Sequence, residues 1–271
     1  MKVVFQTRFS FFGQSGWKSA AAADPGLLFS PERLDARLHF FETITLPSLA
    51  AQSHGDFSHM VLSSELMPDL YKARLRDLLV DTLGEDRVQL MFLPRGSAGK
   101  LLRNAVNATY GKKLVAQVVL DDDDAVACDF VELLHSYGGE AWRNSHREQD
   151  YTFLSFPRGY TLGIGDDDKL AWLEHRFVPY TNLGLALIAP ATTRRNPYMT
   201  SHKKIGLRHP SLMITNPRPY YLRAVHGHND SRAYTQNKPF RADDVDKARK
   251  YFPFLSEHFR EAGDFFKSAA E

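Results

Sequence analysis

Four consecutive carboxylates, Asp121 to Asp124, follow the apolar run "LVAQVVL" without a spacer. Carboxylates this close repel one another unless a cation sits among them, and a hard divalent ion with oxygen ligands, Mg²⁺ or Mn²⁺, is the natural counter-charge. Alternate residues of an extended chain face the same side, so Asp121 and Asp123 are expected to project together, with Asp122 and Asp124 opposite. A plainer alternative has Asp124 capping the following helix and its neighbours solvated, which accounts for only one of the acids.

Three chemistries place acids in this way. A calcium EF-hand loop counted from Asp121 does find Glu132 at its last position, but Ala125 and Val126 stand where an acid and a glycine are required. Phosphatases of the haloacid-dehalogenase type also end a strand with Asp-x-Asp, and "LDDDDA" resembles them there. Their later Gly-Asp-x-x-x-Asp pattern fails, because Leu170 occupies the position after Gly165–Asp166 that needs the acid. In the third chemistry, nucleotide-sugar transfer, Asp-x-Asp holds a metal that bridges the donor's diphosphate and helps neutralise the leaving group.

The elements upstream suit such a site. "KVVFQTRF", "FSHMVLSS", "RVQLMFLP" and "KLVAQVVL" read as four strands. Between them, helical spacing runs through "SPERLDARLHFFETITLPSLAAQ" (Leu34, Leu38, Phe41, Ile44, Leu49), "DLYKARLRDLLVDTL" and "AGKLLRNAVNATYG", and "ACDFVELLHSYGG" follows the aspartates. Pro47 should kink or split the first helix. Repeated β-α units predict an α/β fold with a mostly parallel sheet covered by helices on both faces. Ligands of such sheets bind beyond the carboxyl ends of the strands, where the aspartates fall. Further on, strands are expected around a turn at Gly165–Asp168 and in "NLGLALIAP", and a stretch of low regularity over 190–230. The Asp166–Asp168 cluster reads as turn chemistry rather than a second metal site. An aromatic helical tail over 243–268 either packs back on the domain or docks on a membrane surface or partner. The whole chain reads as one domain, with a nucleotide-binding half (1–140) and an acceptor-side half (141–271).

"LLRNAVNATYGKKLVAQVVLDDDDA" closely resembles the pattern of GT-A glycosyltransferases: Arg-Asn, a short helix, Gly, an apolar strand, then Leu-Asp-x-Asp-Asp. With "FQTRFS", "PSLAAQSHGDFSHMVLSS", "FPRGYTL" and "AVHGHN" in order, residues 1–230 resemble the bacterial rhamnosyltransferase family. The resemblance implies a GT-A-like fold and a metal-dependent transferase. Such an enzyme moves a sugar from a nucleoside diphosphate sugar to a hydroxyl of a carbohydrate or glycolipid acceptor. It also assigns residues. Thr7, Arg8, Arg103, Asn104, Asp121 and Asp122 would contact the nucleotide-sugar, while Asp121, Asp123 and His226 would hold a divalent cation, Mn²⁺ or Mg²⁺. Surface-charge readings of Arg8 and Arg103, and an exposed-loop reading of His226 beside His228, stay open. The general base departs from the usual acidic pair, because residues 180–215 contain no Asp or Glu. His202 is the titratable group there suited to accept a hydroxyl proton near neutral pH.

Composition narrows the rest. A net charge of +2 with scattered Lys and Arg argues against a nucleic-acid partner. The single Cys128 excludes an intrachain disulfide framework and a Cys-based zinc site. The apolar N-terminus is interrupted at Gln6–Arg8 before it reaches signal length, and no run approaches the roughly 20 apolar residues of a membrane helix. A cytoplasmic protein, with peripheral membrane contact open through its tail, is the expectation. A non-catalytic nucleotide-binding protein is the remaining alternative.

Overall fold

The structure, a computed structural model, describes residues 1–14, 20–145, 149–165, 170–227 and 242–255. β1 (Lys2–Arg8) is followed by α1 (Pro25–Leu28) and α2 (Pro31–Phe40). A π-helical turn over Phe41–Thr45 joins α2 to α3 (Leu46–Ala50). Pro47 has no N–H to return to the preceding turn, and just before it Leu46 N–H bonds Phe41 C=O, five residues back. The split expected near Pro47 is therefore a local unwinding rather than a break.

β2 (Phe57–Ser64), α4 (Asp69–Leu83), β3 (Val88–Leu93), α5 (Ala98–Tyr110) and β4 (Leu114–Val119) complete the regular half. A short β5 (Ala125–Val126) precedes α6 (Phe130–Ser145). α6 runs past Gly138–Gly139, beyond the end of the helical stretch "ACDFVELLHSYGG". A Cβ on Gly138 would stand 2.8 Å from Ile188 Cδ1, so this glycine lets the helix pass close over the sheet. β6 (Thr152–Ser155), β7 (Arg158–Ile164), β8 (Leu170–Phe177) and β9 (Ala186–Pro190) follow. α7 (Ile205–Arg208), β10 (Ser211–Met213), β11 (Tyr221–Val225) and α8 (Ala242–Tyr251) end the described chain.

Seven strands form one sheet in the order β10-β6-β9-β4-β1-β2-β3. Its β1, β2, β3 and β4 run parallel, whereas β9, the expected strand in "NLGLALIAP", lies antiparallel between β4 and β6. β4 is buried between β1 and β9, which is why its sequence lacks polar alternation. A smaller sheet, β5-β11-β7-β8, carries the strands expected around 165–168; β7 and β8 pair antiparallel, and Asp166–Asp168 lie outside the described residues. One apolar cluster runs from Val3 and Phe5 through Val118 and Phe130 to Tyr220 and Tyr221, so both sheets share a core.

α8 and the residues after it pack back on the domain: Phe252, Phe254 and Leu255 are buried with Tyr160 and Leu222. Phe259, Phe265 and Phe266 lie outside the described residues. Among the described residues, no helix is long and apolar enough to cross a membrane.

Candidate functional site

β1 pairs with β2 on one flank and with β4 on the other, both parallel, so the chain reverses its winding direction between β1 and β4. A crevice opens beyond the carboxyl ends of two strands at such a reversal. Arg8 ends β1, and Asp121 lies two residues past the end of β4. The next strand, β5, belongs to the second sheet. The aspartates therefore occupy the hand-over between sheets.

They are not extended. Asp124 N–H donates to Asp121 C=O at 3.4 Å, closing a turn over residues 121–124, yet exposure still alternates, with Asp122 and Asp124 buried and Asp121 and Asp123 partly exposed. Each acid has its own partner. Asp121, with a side chain 34% exposed, faces the Arg8 guanidinium at 3.3 Å. Asp122 is buried and accepts two hydrogen bonds from Arg37, from Nε at 2.8 Å and from a terminal nitrogen. Asp123 Oδ2 lies 3.3 Å from His226 Nε2. Asp124, also buried, accepts from Ala224 N–H at 3.0 Å and so ties the turn to β11.

The environments push the acids apart. Burial raises Asp122 despite the Arg37 charge, and raises Asp124 well above the ordinary carboxylate range. Burial would raise Asp123 too, but the His226 hydrogen bond and the Arg37 charge outweigh it and hold this carboxyl below its ordinary value. The surroundings of Asp123 thus favour its carboxylate form.

One helical run backs the whole turn. Arg37 holds Asp122, and Phe40 stacks on His226 with ring centroids 3.7 Å apart. Thr45 Oγ1 donates to Asp121 C=O at 3.4 Å, Ser48 Oγ accepts from Val126 N–H, and Gln52 Nε2 donates to Ala127 C=O. Across the π-helical turn these contacts repeat every three to five residues on one face. A π-turn shifts that face mid-helix and lets one helix follow a turning chain.

Arg8 is buried, with its guanidinium 4.2 Å from the Tyr198 ring centroid. Tyr198 donates to Gln6 C=O at 2.7 Å. Beneath it Gln6, Gln117 and Asn196 are fully buried and bonded to one another, with Asn196 Nδ2 donating to both glutamine carbonyls at 2.9 Å. Gln117, the one polar interruption of its strand, thus anchors the segment that carries Tyr198.

The structure brings Arg8, Asp121, Asp122, Asp123 and His226 together. Thr7 it does not bring into the crevice. Thr7 is buried, and its hydroxyl donates to Leu120 C=O and accepts from His59 Nε2 at 2.8 Å. The Arg103 hydrogen bonds go to its neighbour Asn104 on α5, and among the described residues neither is hydrogen-bonded to the aspartate turn. His202 sits on a short 3₁₀ turn four residues after Tyr198, with Nδ1 2.8 Å from Tyr180 C=O. A carbonyl only accepts, so Nδ1 carries the proton and Nε2 keeps a lone pair. His228 lies outside the described residues.

Arg37, Phe40 and Tyr198 were not anticipated. Arg37 carried a signal: it falls on the apolar stripe of Leu34, Leu38 and Phe41, and a charge in a buried stripe needs a buried counter-charge. Tyr198 lies 77 residues beyond Asp121 in irregular chain, and nothing local marked it.

Among the described residues, no group of three or more His, Cys, Asp or Glu side chains is gathered to hold a metal ion. The Asp123–His226 pair nonetheless fits two positions of one ion. Its 3.3 Å separation is near the roughly 3 Å between adjacent ligands of an octahedral ion bound at about 2.1 Å. Mg²⁺ sites commonly use one or two protein ligands and complete the shell with water and substrate phosphates.

The family described as "Putative rhamnosyl transferase" matches residues 2–238. Three solved structures are similar. S. aureus TarS 1-349 is 11% identical with a TM-score of 0.41, over 83% of this chain and 60% of that one. A second S. aureus TarS structure is 11% identical with a TM-score of 0.41, over 96% of this chain and 44% of that one. A "putative nucleotide-diphospho-sugar transferase" from Desulfovibrio desulfuricans G20 is 10% identical with a TM-score of 0.36, over 95% of both chains. This chain thus spans at most 60% of the TarS chains. No protein of curated function matches it.

Proposed function

The chain belongs to the rhamnosyl transferase family and is a glycosyltransferase, and from that premise we propose a metal-assisted transfer from a nucleoside diphosphate sugar to a hydroxyl of a carbohydrate or glycolipid acceptor. The Asp123–His226 contact carries the reading. It sets an ionised carboxylate and an imidazole nitrogen at ligand spacing, beyond the switch point where a nucleotide would sit. Bound Mg²⁺ or Mn²⁺ supplies Lewis-acid neutralisation of the diphosphate leaving group. Asp121, the most exposed acid of the turn, faces Arg8, so in this reading water and substrate oxygens complete the shell around Asp123 and His226. Arg8, stacked on Tyr198, offers its guanidinium to the diphosphate. His202 Nε2 is the base that receives the acceptor hydroxyl's proton as the acceptor oxygen bonds the sugar's anomeric carbon and the bond to the diphosphate breaks. Thr7 has no part in it, since its hydroxyl is committed inside the fold. The phosphatase alternative finds no support in the family match.

A thermal-shift screen of UDP, GDP and dTDP and their sugars, with and without Mn²⁺, tests the proposal. Stabilisation by at least one nucleotide that requires the metal is expected. Phosphomonoester hydrolysis without nucleotide binding would overturn it.

A further inference from the structure

A concentration of positive charge lies away from the aspartates, in a cleft of about 460 Å³ between the small sheet and α8. That volume is in the range of small-ligand sites. Arg158, His175, Arg176, Arg218, Lys247 and Lys250 line it, with no carboxylate among its described lining residues. Arg218 is balanced by Asp129, which it grips through two nitrogens at 2.5 and 2.6 Å. Arg158, Arg176, Lys247 and Lys250 make no ion pair with a described carboxylate. Two rings complete the walls: Arg158 lies 4.9 Å from the ring centroid of Phe177, and Arg218 lies 4.5 Å from that of Tyr251.

Cations that converge on one concavity repel each other, and a bound anion relieves that repulsion. Guanidinium forks and lysine point charges together suit the several oxygens and double charge of a phosphate better than a single carboxylate. The cleft is also separate from the turn. It opens at the start of β11, His226 lies just past that strand's end, and five residues at about 3.3 Å each span roughly 15 Å.

We propose that this cleft binds a phosphate-bearing ligand, at a site independent of the aspartate turn and of its metal. The source is a soluble phosphate compound or the headgroup of an anionic lipid, and the chemistry recognised is the same. Lys247→Gln/Lys250→Gln tests it, because both side chains are exposed on α8 and their loss leaves the core intact. In EDTA at low salt, inorganic pyrophosphate is titrated calorimetrically, and vesicles of phosphatidylglycerol or phosphatidylcholine are sedimented with the protein. The expected result is binding of pyrophosphate, or of phosphatidylglycerol but not phosphatidylcholine vesicles, weakened at least about tenfold in the double variant. Asp123→Ala should bind the same probe within about twofold of the unaltered protein. Whichever probe binds identifies the source. Binding of neither, equal binding by the double variant, or loss in Asp123→Ala overturns the proposal. Failure here leaves the transferase reading untouched, since that reading is judged on metal-dependent nucleotide binding.

Discussion

The two ends of β11 handle charge in opposite ways. Past its carboxyl end, four acids meet four fixed partners: Arg8, Arg37, His226 and the Ala224 N–H. At its start, basic side chains outnumber the described carboxylates that pair with them. Buried, matched charges define a shape, because removing either partner strands the other in low dielectric. Exposed, unmatched charges define an affinity. Within the aspartate turn the same contrast separates Asp122 and Asp124, which hold the chain in place, from Asp121 and Asp123, which face the crevice.

Breaking a buried match should cost most. Arg37→Met leaves Asp122 buried without its guanidinium, and the expected loss is about 3–5 kcal/mol in urea unfolding. Adding Asp122→Asn should restore part of it, because the stranded charge is gone. A fully additive double variant would show that the pair is not coupled.

A buried neutral contact makes the next largest effect. His59 donates Nε2–H to Thr7, so its Nδ1 is bare, buried and without a partner. Burial pulls its pKa from 6.5 to about 3. The unfolded chain therefore takes up the proton first as pH falls. The stability that neutral His59 contributes is complete above pH 6.5 and is lost down to about pH 3, at up to about 1.4 kcal/mol per pH unit. His59→Gln should flatten that part of the stability profile; an unchanged slope would assign it to other groups.

Asp124→Ala removes the acceptor of Ala224 N–H and should cost about 1–3 kcal/mol, read from denaturation midpoints. The smallest effect belongs outside both regions. Arg103→Ala on α5 should move stability by less than about 0.5 kcal/mol; a larger loss would mean that Arg103 is part of a contact network.

The regular half of the fold was legible because its strands and helices are local patterns: apolar runs, 3.6-residue stripes, and a glycine after "NATY". The position of Asp121 beyond the carboxyl end of its strand followed from the β-α order alone. What escaped depends on tertiary pairing. β9 reads as a strand, but no local feature shows that it inserts antiparallel beside β4. The four acids read as an extended run, yet Arg37 from one distant segment and Ala224 and His226 from another draw them into a turn. Thr7 sits in a motif that matches the family, and only the packing reveals that its hydroxyl points inward to His59 and Leu120. The helical stretch quoted after the aspartates ends at Gly138–Gly139, but α6 continues to Ser145, and Gly138 serves close packing over Ile188.

The central claim is that Asp123, kept ionised beside His226, holds the metal through which a nucleotide binds. Calorimetric titration of the nucleotide that emerges from the screen, with Mn²⁺ and with EDTA, tests it on the unaltered protein and on Asp123→Ala. The account predicts tight binding only with Mn²⁺ in the unaltered protein, and loss of that metal dependence in Asp123→Ala with the thermal unfolding transition retained. Undiminished Mn²⁺-dependent binding by a folded Asp123→Ala protein would contradict it.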